Sequence, residues 1–230
     1  MNKQRKQFLA DLINSISPSG YEGPVAKVWK AEAEKFASSV WTDTHGNSHA
    51  VVNSGGSPVV MLAGHYDEIG FQISYIDDDG FLWIQALGGW DPQIAQGQRV
   101  QIMTKKGVLR GVVGKVAIHM QTPEQRKKVS QIKDLWVDIG AKDKKAAEKM
   151  VEVGDPLVIA SGFEEMTNGL AVGRAFDDRA GAFVVLDAAR QLSERHPKAE
   201  IHAVATVQEE IGLRGAQTAA YGINPDIGIA

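Results

Sequence analysis

The stretch AVATVQEEIGLRGA, residues 203–216, sets the reading of the whole chain. An apolar run stops on two adjacent carboxylates, Glu209 and Glu210, and a glycine-punctuated helical segment follows. The same alternation continues on both sides, with a helix predicted over 179–195, a strand over 201–207, a helix over 213–221 and a strand over 226–230. Strands that alternate with helices predict an α/β domain around a parallel sheet. Two neighbouring carboxylates at the end of a buried strand repel each other and are costly to desolvate. A positive group or a shared proton must therefore hold them.

Toward the N-terminus, VVMLAGH (59–65) is a continuous apolar strand ending in glycine and histidine, as suits a sheet covered on both faces. Before it, Phe8, Leu9, Leu12, Ile13 and Ile16 share a helical face, and SPSGYEGP separates them from a second helix carrying Val25, Val28, Trp29 and Phe36. HGN (45–47) turns the chain into the short strand SHAVV. From about residue 70 the texture changes. FQISYI and FLWIQAL flank DDDG, and RVQIM and VLRGVVGKVAI flank TKKG, two hairpin signals of an antiparallel β unit. LWVDIG and PLVIA add strands on either side of the helical KDKKAAEKM. The expected organisation is an α/β domain in two parts, 1–69 and 164–230, with a β domain of residues 70–163 inserted between them.

Composition narrows the chemistry. Net charge is −3 over 230 residues, with no basic block, which argues against nucleic acid as a partner. Without cysteine there is no disulfide framework, thiolate zinc site or cysteine nucleophile, so any metal is held by histidine and carboxylates. The N-terminal MNKQRKQFLADLINSI is interrupted by Asp11 and Asn14 at helical spacing. It reads as an amphipathic helix and not a signal peptide, no later segment reads as a membrane span, and a cytoplasmic location is the default expectation.

Ligands in open α/β sheets lie beyond the carboxyl ends of the strands. Three polar clusters are expected there: His65 and Asp67 in GHYDEIG, Asp177 and Asp178 in GRAFDDRAG, and Glu209 and Glu210 in QEE. Each alone has an ordinary explanation. A His-x-Asp after a strand is commonly a hydrogen-bonded turn, paired aspartates before a helix are commonly caps, and glutamates at a strand end are commonly solvated. Their conjunction at one edge of one sheet supplies an imidazole and several carboxylates, the donor set of a cocatalytic metal site.

Four motifs, GHYDEIGF, GGWDPQIAQGQRV, RAFDDRAG and QEEIGLRGA, spread in order over residues 64–216, resemble the TET-type dinuclear metallo-aminopeptidases, a family that includes glutamyl and deblocking aminopeptidases. The resemblance implies a zinc-exopeptidase-like α/β domain with an inserted β-barrel dimerisation domain, peptide substrates, and homodimers that build hollow tetrahedral dodecamers. It implies two divalent ions, zinc or cobalt, with His65 and Glu210 each as a ligand to one ion and Asp177 as the carboxylate bridging both. Glu209 is then the general base and Asp67 the partner that orients His65, while Asp178 supports a cis peptide beside Asp177. Tyr66 departs from the methionine more usual between His and Asp and leaves the ligands intact.

Two other functions are weighed. Trp83 and Trp90 suggest a carbohydrate surface, but a glycosidase needs two carboxylates spanning a sugar and has no use for His65 in the same cluster. A non-catalytic assembly protein is the stronger rival, because NPDIGIA (224–230) reads as a strand that stops without a cap, short of an aspartate and a histidine ligand implied by the resemblance. The expectation is a truncated form with weak metal affinity and very low peptidase activity. His119 reads as a surface histidine and carries no role.

Overall fold

A computed structural model describes residues Met1–Ala230. Helix α1 (Lys3–Asn14) begins on Asn2, whose side chain accepts the Arg5 N–H, and buries Phe8, Leu9, Leu12 and Ile13. Asparagine caps well because its short side chain satisfies an N–H that the helix leaves unpaired. Helix α2 (Gly23–Ala33) carries Pro24 in its first turn, where a missing N–H costs nothing, and buries Val25 and Trp29. Strands β1 (Ser39–Thr42), β2 (Ser48–Val52) and β3 (Val59–His65) follow.

The chain divides into two compact units, Met1–Glu68 with Ser161–Ala230, and Ile69–Ala160. The second unit contains β4 (Gly70–Ile76), β5 (Leu82–Leu87), β6 (Arg99–Thr104), β7 (Gly107–Gly114), β8 (Trp136–Asp138) and β9 (Pro156–Ile159). Short helices α3 (Pro92–Ala95), α4 (Pro123–Arg126) and α5 (Lys144–Glu148) lie in its connections. Its strands close into a barrel in the order β4-β5-β8-β7-β6-β9, which leaves no open edge. DDDG joins β4 to β5: Gly80 takes a φ of +87°, and the Asp77 carboxylate accepts the Phe81 N–H and the Trp83 indole N–H. Phe71, Ile73, Leu82, Val100, Ile102 and Leu157 fill the interior.

The first unit resumes with a ribbon of β10 (Glu164–Glu165) and β11 (Ala171–Val172), then α6 (Phe176–Ser193), β12 (Glu200–Thr206), α7 (Arg214–Ile223) and β13 (Ile227–Ile229). Its sheet runs β1-β2-β12-β3-β13. β3, β12 and β13 are parallel, as the alternation of strands and helices predicts, but β2 is antiparallel to both β1 and β12. The sheet is therefore mixed. The cause is local: Asp43 accepts the N–H groups of Gly46 and Asn47, so DTHGN folds back as a tight turn, and a tight turn joins only antiparallel strands.

Trp29, Leu12, Ile13, Phe183, Leu186 and Ala203 belong to the core of this unit. Gly64 is required where β3 meets α6, because a Cβ there would stand 2.6 Å from the Ala182 backbone nitrogen. That close approach sets the end of β3, and with it His65, against the start of α6. No helix is long and apolar enough to cross a membrane.

Candidate metal centre

Thr206 at the end of β12 is paired in register with His65 at the end of β3, so both strands deliver their next residues to one edge of the sheet. The backbone at Gln208 then turns through a φ of +54° and presents Glu209 and Glu210 in succession. Asp177 and Asp178 arrive at the same edge from the irregular start of α6, joined by a cis peptide bond.

The three clusters read from the sequence meet. His65 Nε2 lies 3.2 Å from Asp177 Oδ1 and 3.4 Å from Glu209 Oε2. The donor atoms of His65, Glu209 and Glu210 all fall within 4.8 Å of one another. Asp67 is fully buried behind them, with Oδ1 3.4 Å from His65 Nδ1. Its carboxylate accepts the backbone N–H groups of Glu209 and Glu210 at 3.1 and 3.2 Å, and the Ser19 hydroxyl. Asp178 faces the other way: it accepts the Gly181 N–H at 2.9 Å as a helix cap and the His65 N–H at 3.3 Å, tying β3 to α6.

The electrostatics of the cluster follow from the crowding of acids around one imidazole. Burial works against a charged His65 imidazole, but the hydrogen bond and charge of Asp67, with Glu209 and Asp178, push it up to about 9. Asp67 is held low despite its burial, by hydrogen bonds from His65, Ser19 and the Glu209 amide. Burial pushes Glu210 up, and the charges of Asp177, Asp67 and Glu209 add to the shift. Crowded carboxylates around one imidazole form an anionic pocket that a cation relieves. One imidazole nitrogen and several carboxylate oxygens suit zinc, cobalt and similar first-row ions, so the residues present fit a divalent metal.

Several supporting residues carry no sequence-based assignment. Arg179 is wholly buried and donates to the carbonyls of Leu12, Ser15 and Tyr66 and to the Glu68 carboxylate, which also meets Arg174 Nε at 2.9 Å. Ser19 and Glu22 come from SPSGYEGP, a segment whose composition signals only a break between helices. Arg179 had one signal, a cation directly after the paired aspartates.

The architecture, a mixed α/β sheet together with a six-stranded barrel, is shared with solved aminopeptidases. The chain superposes on a TET aminopeptidase from a marine sediment archaeon of the Thaumarchaeota with a TM-score of 0.94 at 39% identity, covering 99% of this chain and 65% of that one. It superposes with a TM-score of 0.88 at 30% identity on the TET1 peptidase of Pyrococcus horikoshii, which can assemble into a tetrahedron or a large octahedral shell, covering 97% of this chain and 67% of that one. The lysyl aminopeptidase of Pyrococcus furiosus is 35% identical over 228 residues, covering 97% of this chain and 65% of the relative. Residues 46–230 match the M42 glutamyl aminopeptidase family, and the chain belongs to that family. The chain spans 61–65% of the length of the curated relatives that it matches over nearly its whole extent.

Proposed function

We propose that this protein is a metal-dependent aminopeptidase that removes N-terminal residues from peptides at the cluster of His65, Asp177, Glu209 and Glu210. The observation that carries the reading is the meeting of an imidazole and three acids from three separate chain segments over one buried carboxylate, Asp67. His65, Asp177 and Glu210 would hold two divalent ions, zinc or cobalt, with Asp177 serving both, His65 one and Glu210 the other. When bound, such a metal pair polarises the scissile carbonyl, lowers the pKa of a shared water and captures the free amine of the substrate. Glu209 is the general base: its carboxylate takes a proton from the attacking water and returns it to the leaving amine. Asp67 acts on His65 Nδ1, fixing the tautomer that leaves Nε2 free to ligate.

The assay that tests this compares aminoacyl-nitroanilides with their N-acetylated counterparts, with zinc or cobalt supplied. Cleavage is expected to need the metal and the free amine, and cellulose is expected to remain intact. Equal cleavage of the acetylated substrates would contradict the exopeptidase reading.

We also place the protein in the cytoplasm and assign homodimerisation to the barrel unit, extending to a dodecamer. Support comes from the assembly of the Pyrococcus horikoshii relative and from exposed apolar side chains on the barrel, among them Ile94, Val108 and Val112. Light scattering is expected to give a mass above that of a monomer, 24.9 kDa. A strict monomer at high concentration would contradict the assignment.

A further inference from the structure

Glu22 is a carboxylate that the proposed chemistry does not use, and it is buried within the first unit. Its Oε1 accepts the Gly20 N–H at 2.8 Å and the Gln208 N–H at 3.1 Å. The second bond reaches across 186 positions to the residue directly before Glu209. Gln208 is one of the few non-glycine residues with positive φ, a conformation that L side chains adopt only when the surroundings hold them there.

The next two amides are held as well, by Asp67. Three successive N–H groups, those of Gln208, Glu209 and Glu210, thus all point to carboxylates. Backbone in this left-handed turn aims consecutive N–H groups into a concavity that attracts an anion. Here the chain supplies the anions itself, one from the segment between α1 and α2 and one from the loop after β3. A buried carboxylate so close to Asp67 is unfavourable in isolation, since burial pushes Glu22 up and the charge of Asp67 adds to it. The amide bonds from Gly20 and Gln208 offset part of that cost.

We propose that Glu22 is a positioning residue for the metal centre: with Asp67 it clamps the backbone of residues 208–210 and so fixes the directions of the Glu209 and Glu210 side chains. The proposal rests on the metal reading of that cluster. Carboxylate geometry decides it, because the Gln208 bond requires an acceptor at the distance a glutamate reaches. Glu22→Gln keeps a carbonyl acceptor there, whereas Glu22→Asp keeps the charge but falls one methylene short.

Amide hydrogen exchange by NMR and zinc titration calorimetry, on the intact chain and its variants, test this separately. Glu22→Asp and Glu22→Ala are expected to lose protection at the Gln208 amide by about tenfold or more and to weaken zinc binding by about 10–100-fold, the usual effect of removing a partner that orients ligands. Glu22→Gln is expected to stay within about threefold of the parent protein in both, an outcome that a requirement for charge alone does not produce. Parent-like exchange at Gln208 and parent-like zinc affinity in Glu22→Asp would overturn the proposal, even if Glu22→Ala does not fold. A parent chain that takes up no zinc would remove the metal reading, and with it the positioning role, while protection lost at Gln208 in Glu22→Asp would still identify the clamp as a purely structural device.

Discussion

Glu209→Gln is expected to lower the aminopeptidase turnover of the metal-loaded protein by about 10²–10⁴-fold, the range contributed by a positioned general base, with little change in bound metal. The amide keeps the size and hydrogen-bonding reach of the carboxylate at this site but cannot accept a proton. Glu210→Ala is expected to lose metal as well as turnover, because it removes an oxygen from the His65, Glu209 and Glu210 cluster. Metal analysis run beside the assay separates the two roles. Equal metal loss in both variants would show that the adjacent glutamates share one task.

Arg179→Ala is expected to destabilise the fold by about 3–5 kcal/mol, the cost of breaking a buried ion pair by removing one partner. The guanidinium is fully buried, pairs with Glu68 at 2.8 Å, and satisfies carbonyls of Leu12 and Ser15, at the end of α1, and of Tyr66, just after β3. Without it the Tyr66 carbonyl loses its donor, the Leu12 and Ser15 carbonyls keep only the Ser15 N–H and Arg174, and Glu68 keeps Arg174 as its one ion-pair partner. Urea unfolding followed by circular dichroism measures the effect. Lys133→Ala, an exposed change on the barrel, serves as a control expected to fall within about 0.5 kcal/mol of the parent. A loss below about 1 kcal/mol in Arg179→Ala would mean that this network is solvated or replaceable.

The elements that sequence reading located are those with strong local signals. VVMLAGH became β3 because an unbroken apolar run suits a sheet interior, and DDDG became the β4–β5 turn because Gly80 tolerates positive φ. The antiparallel placement of β2 was not legible. It depends on the turn at Asp43 and on pairing with β12, more than 140 positions away, and no local pattern reports a distant partner. The ribbon of β10 and β11 is two residues deep on each side and leaves no periodicity to detect.

The site divides along the same line. His65, Asp67, Asp177, Glu209 and Glu210 were legible because polar groups closing apolar strands, or opening a helix, stand out against their neighbours. Ser19 acts through a long-range hydrogen bond to the Asp67 carboxylate, and Glu22 and Arg179 through long-range hydrogen bonds to backbone groups. In sequence they look like turn and cap residues, and only the fold shows what they hold. Asp178 illustrates the overlap: it is the cap that a paired aspartate suggests, and it also binds the His65 amide.

The most direct test of the central claim is anomalous diffraction from crystals of this chain soaked in millimolar zinc or cobalt. A peak is expected within bonding distance of His65 Nε2 and the Asp177 carboxylate, and a second that Asp177 shares with Glu210. Peaks confined to other sites, with His65 still paired to Glu209 and Asp177, would contradict it.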